Sequence, residues 1–135
     1  CCVYPTSIFI TKKILIDAFE KLKKNNNYVF SAAKFNHPIQ RAFFKKSNKV
    51  SMFDKKFFFR RTQDLKDYYY DAAQFYIGWK DSWLKKKIIF SGPNKFIELN
   101  ENLFQDIDNI EDWNLALKKW KLFKTNKKKY YAKKN

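Results

Sequence analysis

Two acids one residue apart, Asp106 and Asp108, are the residues best placed to do chemistry in this chain. In an extended segment, side chains at i and i+2 point the same way, so both carboxylates can face one cation. A hard divalent ion such as Mg²⁺ takes carboxylate oxygens and completes its shell with phosphate oxygens and water. By spacing alone the plainer alternative is favoured: acids before a helix commonly cap it, and Asn109 is followed by a helical pattern. Arg61 and Gln63 form a second group, a planar guanidinium that can fork onto a carboxylate and an amide that can bind hydroxyl or N-acyl groups. Gln74, Phe75 and Tyr76 form a third, in which Phe75 reads as core and Tyr76 is open between core and site.

Other chemistries are poorly supplied. The only histidine is His37, and the only cysteines are the neighbours Cys1 and Cys2. Vicinal cysteines rarely bridge, because a disulfide demands particular Cα and Cβ separations. A Cys/His zinc site lacks ligands, and no pattern pairs either thiol with His37. Both cysteines read as small hydrophobes in a buried strand.

These groups need a scaffold, and 135 residues suffice for one domain with a core. Residues 1–4 form a short apolar run ended by Pro5. A helix is expected over 12–24, with Thr11 as N-cap and Ile14, Leu15, Ala18, Phe19 and Leu22 on one stripe. Residues 28–33 are apolar without alternation, as in a strand buried on both faces. Strand, helix, strand in succession predicts a βαβ unit and a parallel sheet. Short strands or an excursion are expected over 34–59, a strand over 74–77 and a short helix over 81–86. Strand-like runs at 88–90 and 95–99 flank the Gly92-Pro93 turn. The final helix begins after Asn109, with Ile110, Trp113, Leu117 and Trp120 as its inward face and Glu111 and Asp112 complementing the first-turn dipole. From Lys124 onward, six lysines in twelve residues predict a frayed or disordered tail over 124–135.

Three blocks carry a wider likeness. Arg61-Thr62-Gln63-Asp64-Leu65, then Tyr70-Asp71-Ala72-Ala73-Gln74-Phe75-Tyr76-Ile77-Gly78, then Asp106-Ile107-Asp108-Asn109-Ile110-Glu111-Asp112-Trp113 follow RSQDL, HDAGQFYWG and DIDTxEDW in order. In these blocks the chain resembles the acylneuraminate cytidylyltransferases, most closely their pseudaminic acid branch. Pro5-Thr6-Ser7 matches the family's PTAP or PTSP turn in part, with Ile8 in place of proline. Asn36-His37-Pro38-Ile39-Gln40-Arg41-Ala42 is similar to its PxPIxRA segment. Tyr70, Ala73, Ile77 and Asn109 stand where the family has His, Gly, Trp and Thr. The likeness spans residues 1–122.

The resemblance implies a transferase in which the anomeric hydroxyl of a nonulosonic acid attacks the α-phosphate of CTP and pyrophosphate leaves, in surface glycan biosynthesis. It implies metal binding by Asp106 and Asp108 with Mg²⁺ as cofactor. The sugar would fall to Arg61, Gln63, Gln74, Phe75 and Tyr76, with nucleotide contacts at Thr6 and Ser7. A homodimer follows from the same likeness. The expected fold is α/β: a Rossmann-like, mainly parallel sheet flanked by helices and lacking its first strands, over residues 1–123. The family's phosphate-cradling start, AIIPARGGSKRIPRKN, does not occur in these 135 residues, and a chain opening on a strand reads as part of a longer protein. The 135 residues alone are therefore expected to be inactive, and poorly soluble through exposed sheet edges.

The net charge of +16 invites a different class, a basic module for nucleic acid or an anionic surface. The charge comes from 26 Lys and only 3 Arg, whereas base and phosphate recognition favours the guanidinium fork. Lys, Asn, Ile, Phe and Tyr are residues of A/T-rich codons, so composition bias accounts for the lysines and nucleic acid is disfavoured. An inactive remnant is the third reading. No apolar run reaches the roughly 18–20 residues of a membrane helix. With no signal-peptide pattern at the start, the cytoplasm is the expected location.

Overall fold

The computed structural model describes residues 1–131, with side chains over 1–125. Two compact units emerge: Cys1–Ala33 together with the chain from Asp71 onward, and Lys34–Tyr70.

The first unit is built on a four-stranded sheet. Its strands are β1 (Cys2–Val3), β2 (Tyr28–Lys34), β5 (Tyr69–Gly78) and β6 (Lys95–Glu98), in the order β1-β5-β2-β6. β2 and β6 run parallel, with Phe30 opposite Phe96, whereas β1 and β5 run antiparallel, with Val3 opposite Phe75. The fold is mixed α/β with a mostly antiparallel sheet, which corrects the expectation of a mainly parallel one. The physical reason is the insertion of β5, a strand from later in the chain, between the two strands that flank the first helix.

That helix, α1 (Lys12–Lys21), starts where expected, with Thr11 Oγ1 accepting from the Ile14 amide at 3.5 Å. Ile14 and Ala18 are buried with Val29 and Ala33 of β2, Ala72, Phe75 and Ile77 of β5, and Leu99 and Phe104. Phe19, assigned to the same stripe, is exposed. α2 (Lys80–Leu84) is the short helix expected there, while residues 88–90 form turns and no strand. Asn94 explains that difference, because its amide nitrogen donates to the carbonyls of Ile88, Ile89 and Ser91 and curls the segment. Cys1, Cys2 and Val3 are exposed, which corrects the buried-strand reading of the N-terminal run. Among the described residues β1 is the outermost strand of the sheet, paired with β5.

α3 (Ile110–Tyr131) takes Asn109 as its cap, the Asn109 carboxamide oxygen accepting from the Asp112 amide at 2.9 Å. Its inner face is displaced from the expected one. Ile110, Trp113 and Leu117 are exposed, and Ala116 and Phe123 are buried. Phe9, fully buried, decides this: its ring meets Trp120 at 5.9 Å and Phe123 at 6.0 Å, and Leu103 joins them. The lysine-rich tail expected from Lys124 is helical to Tyr131; residues 132–135 of it lie outside the described residues. No helix among the described residues is long and apolar enough to cross a membrane.

The second unit carries the hairpin β3 (Phe43–Lys46) and β4 (Lys49–Met52), with Ser47 left-handed at its turn. Gln40 is buried and donates to the Lys66 carbonyl at 2.8 Å, and Lys34 pairs with Asp67 at 2.7 Å.

Candidate functional site

β5 carries the most densely organised group of candidate residues. In a regular strand, residues an odd number apart face opposite ways. Yet Tyr76 Oη donates a hydrogen bond to Asp71 Oδ2, five residues away. Likewise Ala72, Phe75 and Ile77 share one core face, although 72 and 75 differ in parity. The extra residue that shifts the register is Ala73, whose φ of +50° is left-handed, as in a β-bulge. The bulge puts Ala72, Phe75 and Ile77 on the core side and leaves Asp71, Gln74 and Tyr76 as a polar set.

Three tethers hold this distortion. Asp71 Oδ1 accepts from the Ala73 amide at 2.9 Å. Ser31 Oγ, fully buried on β2, accepts from the amides of Gln74 at 3.0 Å and Phe75 at 3.3 Å. Ser7 Oγ donates to the Gln74 carbonyl at 2.6 Å. The Gln74 side chain is fully buried, with Nε2 donating to the Ala72 carbonyl at 2.9 Å and Oε1 without a partner. Burial, then the hydrogen bond from Tyr76 to Asp71 and the Asp71 charge, hold the Tyr76 phenol far above its ordinary pKa. Tyr4 adds a ring contact to Tyr76 at 5.6 Å.

A left-handed alanine costs roughly 1–2 kcal/mol that glycine escapes. Ala73→Gly relieves this, offset in part by glycine's larger unfolded-state entropy. The variant is expected to be more stable by about 0.5–1 kcal/mol. Urea denaturation checks it, and a lowered midpoint would remove the strain argument.

Asp106 and Asp108 are exposed in the loop before α3. Lys119 anchors the start of that loop, donating to the carbonyls of Glu101 at 2.9 Å and Phe104 at 3.0 Å. Burial holds the Lys119 ammonium below its ordinary pKa. The end of the loop is fixed by the helix cap, where the Asp108 amide donates to Asp112 Oδ2 at 3.2 Å. Neither Asp106 nor Asp108 is consumed as the cap, because Asn109 fills that role. No group of three or more His, Cys, Asp or Glu side chains placed for a metal exists among the described residues. Two exposed carboxylates match a hard ion that keeps water and takes phosphate oxygens, and do not match a closed all-protein site.

Arg61 and Gln63 belong to the second unit, and both are exposed. The Arg61 guanidinium is forked onto Asp64, Nε to Oδ2 at 2.9 Å and Nη2 to Oδ1 at 3.3 Å. A cleft of about 460 Å³ in this unit is lined by Phe35, His37, Ile39, Arg41 and Thr62 among others. Phe75 is fully buried in the core, in keeping with its structural reading. Ser7 meets Gln74, and Thr6 belongs to the same turn. Sequence reasoning passed over Asp71 and Ser31. Asp71 stood in a quoted block, but its odd spacing from Tyr76 hid the contact, and Ser31 lies unmarked within an apolar strand.

No family model matches the chain. Two pseudaminic acid cytidylyltransferases of Campylobacter jejuni, from serotypes O:2 and O:23/36, are 42% and 41% identical to it over 118 residues. The chain is homologous to the pseudaminic acid cytidylyltransferases. The match covers 86% of the chain and 51% of each Campylobacter protein, so the chain spans about half the length of these relatives. A Helicobacter pylori protein is 36% identical over 118 residues, 23% of its own length. Its name joins pseudaminic acid cytidylyltransferase with UDP-2,4-diacetamido-2,4,6-trideoxy-beta-L-altropyranose hydrolase.

Proposed function

We propose that these residues form the sugar-binding part of an enzyme that transfers CMP from CTP to a nonulosonic acid of the pseudaminic type, releasing pyrophosphate. The observation that carries this reading is the 42% identity over 118 residues to a pseudaminic acid cytidylyltransferase. The convergence of Ser7, Gln74 and Tyr76 on one stretch of β5 supports it.

On this reading Gln74 and Tyr76 line the sugar, with Phe75 as the apolar backing that fixes them. Arg61 and Gln63 bind sugar carboxylate and polar groups, Arg61 exchanging Asp64 for the ligand. Thr6 and Ser7 lie towards the nucleotide. Asp106 and Asp108 hold Mg²⁺, which when bound neutralises charge on the phosphates. Their own contribution is to fix two oxygens between a clasped loop and a capped helix, so that little reorganisation is left for the reaction. The cytoplasm, where CTP is available, and a homodimer belong to the same proposal.

The test replaces the matching 118 residues of a Campylobacter relative with the corresponding part of this chain. The folded chimaera is expected to release pyrophosphate only when CTP, Mg²⁺ and pseudaminic acid are all present. The 135 residues alone, without a glycine-rich phosphate loop, are expected to stay at background. A chimaera with a cooperative melting transition and no pyrophosphate release would overturn the proposal and favour an inactive remnant.

A further inference from the structure

Where β5 leaves the sheet, the first unit gathers lysines from two distant runs. Lys23 and Lys24 follow α1, and Lys85, Lys86 and Lys87 follow α2. The fold ties the two runs together. Lys87 Nζ donates to the Asn27 carboxamide oxygen at 2.7 Å, and Trp79 Nε1 donates to the Lys23 carbonyl at 3.1 Å. Between them lies a cleft of about 460 Å³, lined by Lys24, Asn27, Trp79, Lys80, Ser82 and Lys87 among others. It lies wholly within the first unit, and none of the candidate sugar, nucleotide or metal residues lines it.

The walls of this cleft are fixed by buried polar contacts. Asn26, buried, accepts from the Lys23 amide at 3.2 Å and donates to the Pro93 carbonyl at 2.9 Å. Ser82, also buried, takes the Tyr28 hydroxyl on its carbonyl at 2.7 Å. Trp79 has spent its single donor on Lys23, so the 45% of the residue still exposed offers ring surface and no hydrogen bond. The charge is one-sided. Among the described residues Lys24, Lys80 and Lys87 form no ion pair, while Asp81, the one acid of the lining, lies 3.8 Å from Lys85.

We propose that this cleft binds a nucleoside di- or triphosphate, with its base stacked on Trp79 and its phosphates among Lys24, Lys80 and Lys87. Ammonium groups act on phosphate as point charges, and several of them call for a multiply charged anion. Every base has a π-face, so a single indole selects the class of ligand and not one base. A nucleic-acid strand would use the same two groups but gains from a run of stacking platforms, whereas one indole in a cleft of this volume takes one base. The inference goes beyond the transferase reading and does not rest on it.

The test titrates the 135-residue chain with ADP, pyrophosphate and adenosine, following the Trp79 indole N–H by ¹H–¹⁵N NMR. ADP is expected to shift that resonance saturably and to bind about ten-fold more tightly than pyrophosphate, the size of one base–aromatic stack. Adenosine, lacking phosphates, should bind more weakly than either. Trp79→Leu should bring ADP down to the level of pyrophosphate and leave pyrophosphate unchanged, whereas Trp79→Phe, read by calorimetry, should keep most of the difference. Lys24→Gln combined with Lys80→Gln should weaken both anions and flatten the fall of affinity with salt. Both lysines are exposed and outside any ion pair among the described residues, so the melting temperature should hold.

No saturable change at Trp79 with ADP would overturn the proposal. Equal affinities for ADP and pyrophosphate would remove the stacking role and leave a plain anion cleft. Oligothymidylate binding that tightens with length and exceeds ADP would overturn the single-nucleotide site in favour of a nucleic-acid face. Should Trp79→Leu fail to fold, the lysine pair decides, because unchanged ADP affinity in that variant would overturn the proposal by itself.

Discussion

Asp106→Asn and Asp108→Asn, each made in the active chimaera, are expected to lower pyrophosphate release by about 10²–10³-fold, the usual cost of removing one preorganised electrostatic group at a transferring centre. Asparagine keeps the size and one oxygen but removes the charge that a hard cation requires. Stability should be nearly unchanged, because the helix cap is made by Asn109 and Asp112 and not by these side chains. Raising Mg²⁺ should restore part of the activity, since weakened metal affinity is the defect. Full activity in both variants would reduce the pair to solvated acids ahead of a helix, the reading that spacing alone preferred. Loss of activity together with a collapsed melting transition would point instead to a role in closing the loop that Lys119 anchors.

Gly78→Ala is expected to destabilise the chain by about 2–3 kcal/mol, an overpacking cost. A Cβ built at this position would lie 2.5 Å from Tyr28 Cδ1, 2.7 Å from Tyr28 Cε1 and 3.0 Å from the Asn27 carbonyl oxygen. Tyr28 has no room to yield. Its ring is buried, its hydroxyl donates to the Ser82 carbonyl at 2.7 Å, and Trp83 stands edge-on at 5.0 Å. The clash therefore moves β5, α2 or both. An unfolding free energy from urea denaturation within about 0.5 kcal/mol of wild type, the range of an ordinary surface change, would show that the strand slides at little cost. The glycine that closes the block matching HDAGQFYWG is thus explained by close packing and needs no ligand.

The two glycine positions of that block behave differently, and the contrast shows what sequence can carry. At Gly78 the residue type is retained and a close approach is seen. At Ala73, where the related pattern has glycine, a left-handed backbone is seen with the wrong residue for it. The likeness flagged both positions, but only the backbone says that one is a matter of room and the other of dihedral angle.

Thr11, Asn109 and the apolar run at 28–33 were legible because capping and continuous burial are local signals: a side chain bonding its own helix, or a run without alternation. The α3 stripe was legible only as a helix. Periodicity fixes that an apolar arc exists, but Phe9, about a hundred residues earlier, fixes which part of the arc is covered. The parallel sheet was misread for a related reason, since the order of strands depends on where β5 inserts, and no residue near β1 or β2 encodes that.

The sequence by itself determined the helices, the caps, the principal strands and, through its blocks, the kinship to cytidylyltransferases. Those properties follow from side chains acting on neighbours within one or two turns. Tertiary structure alone decided that Asp71, Gln74 and Tyr76 form one polar set and that Ser31 supplies the missing acceptor behind them. A single left-handed residue reverses the parity of every side chain beyond it, and a two-residue period read from the sequence carries no sign of such a reversal.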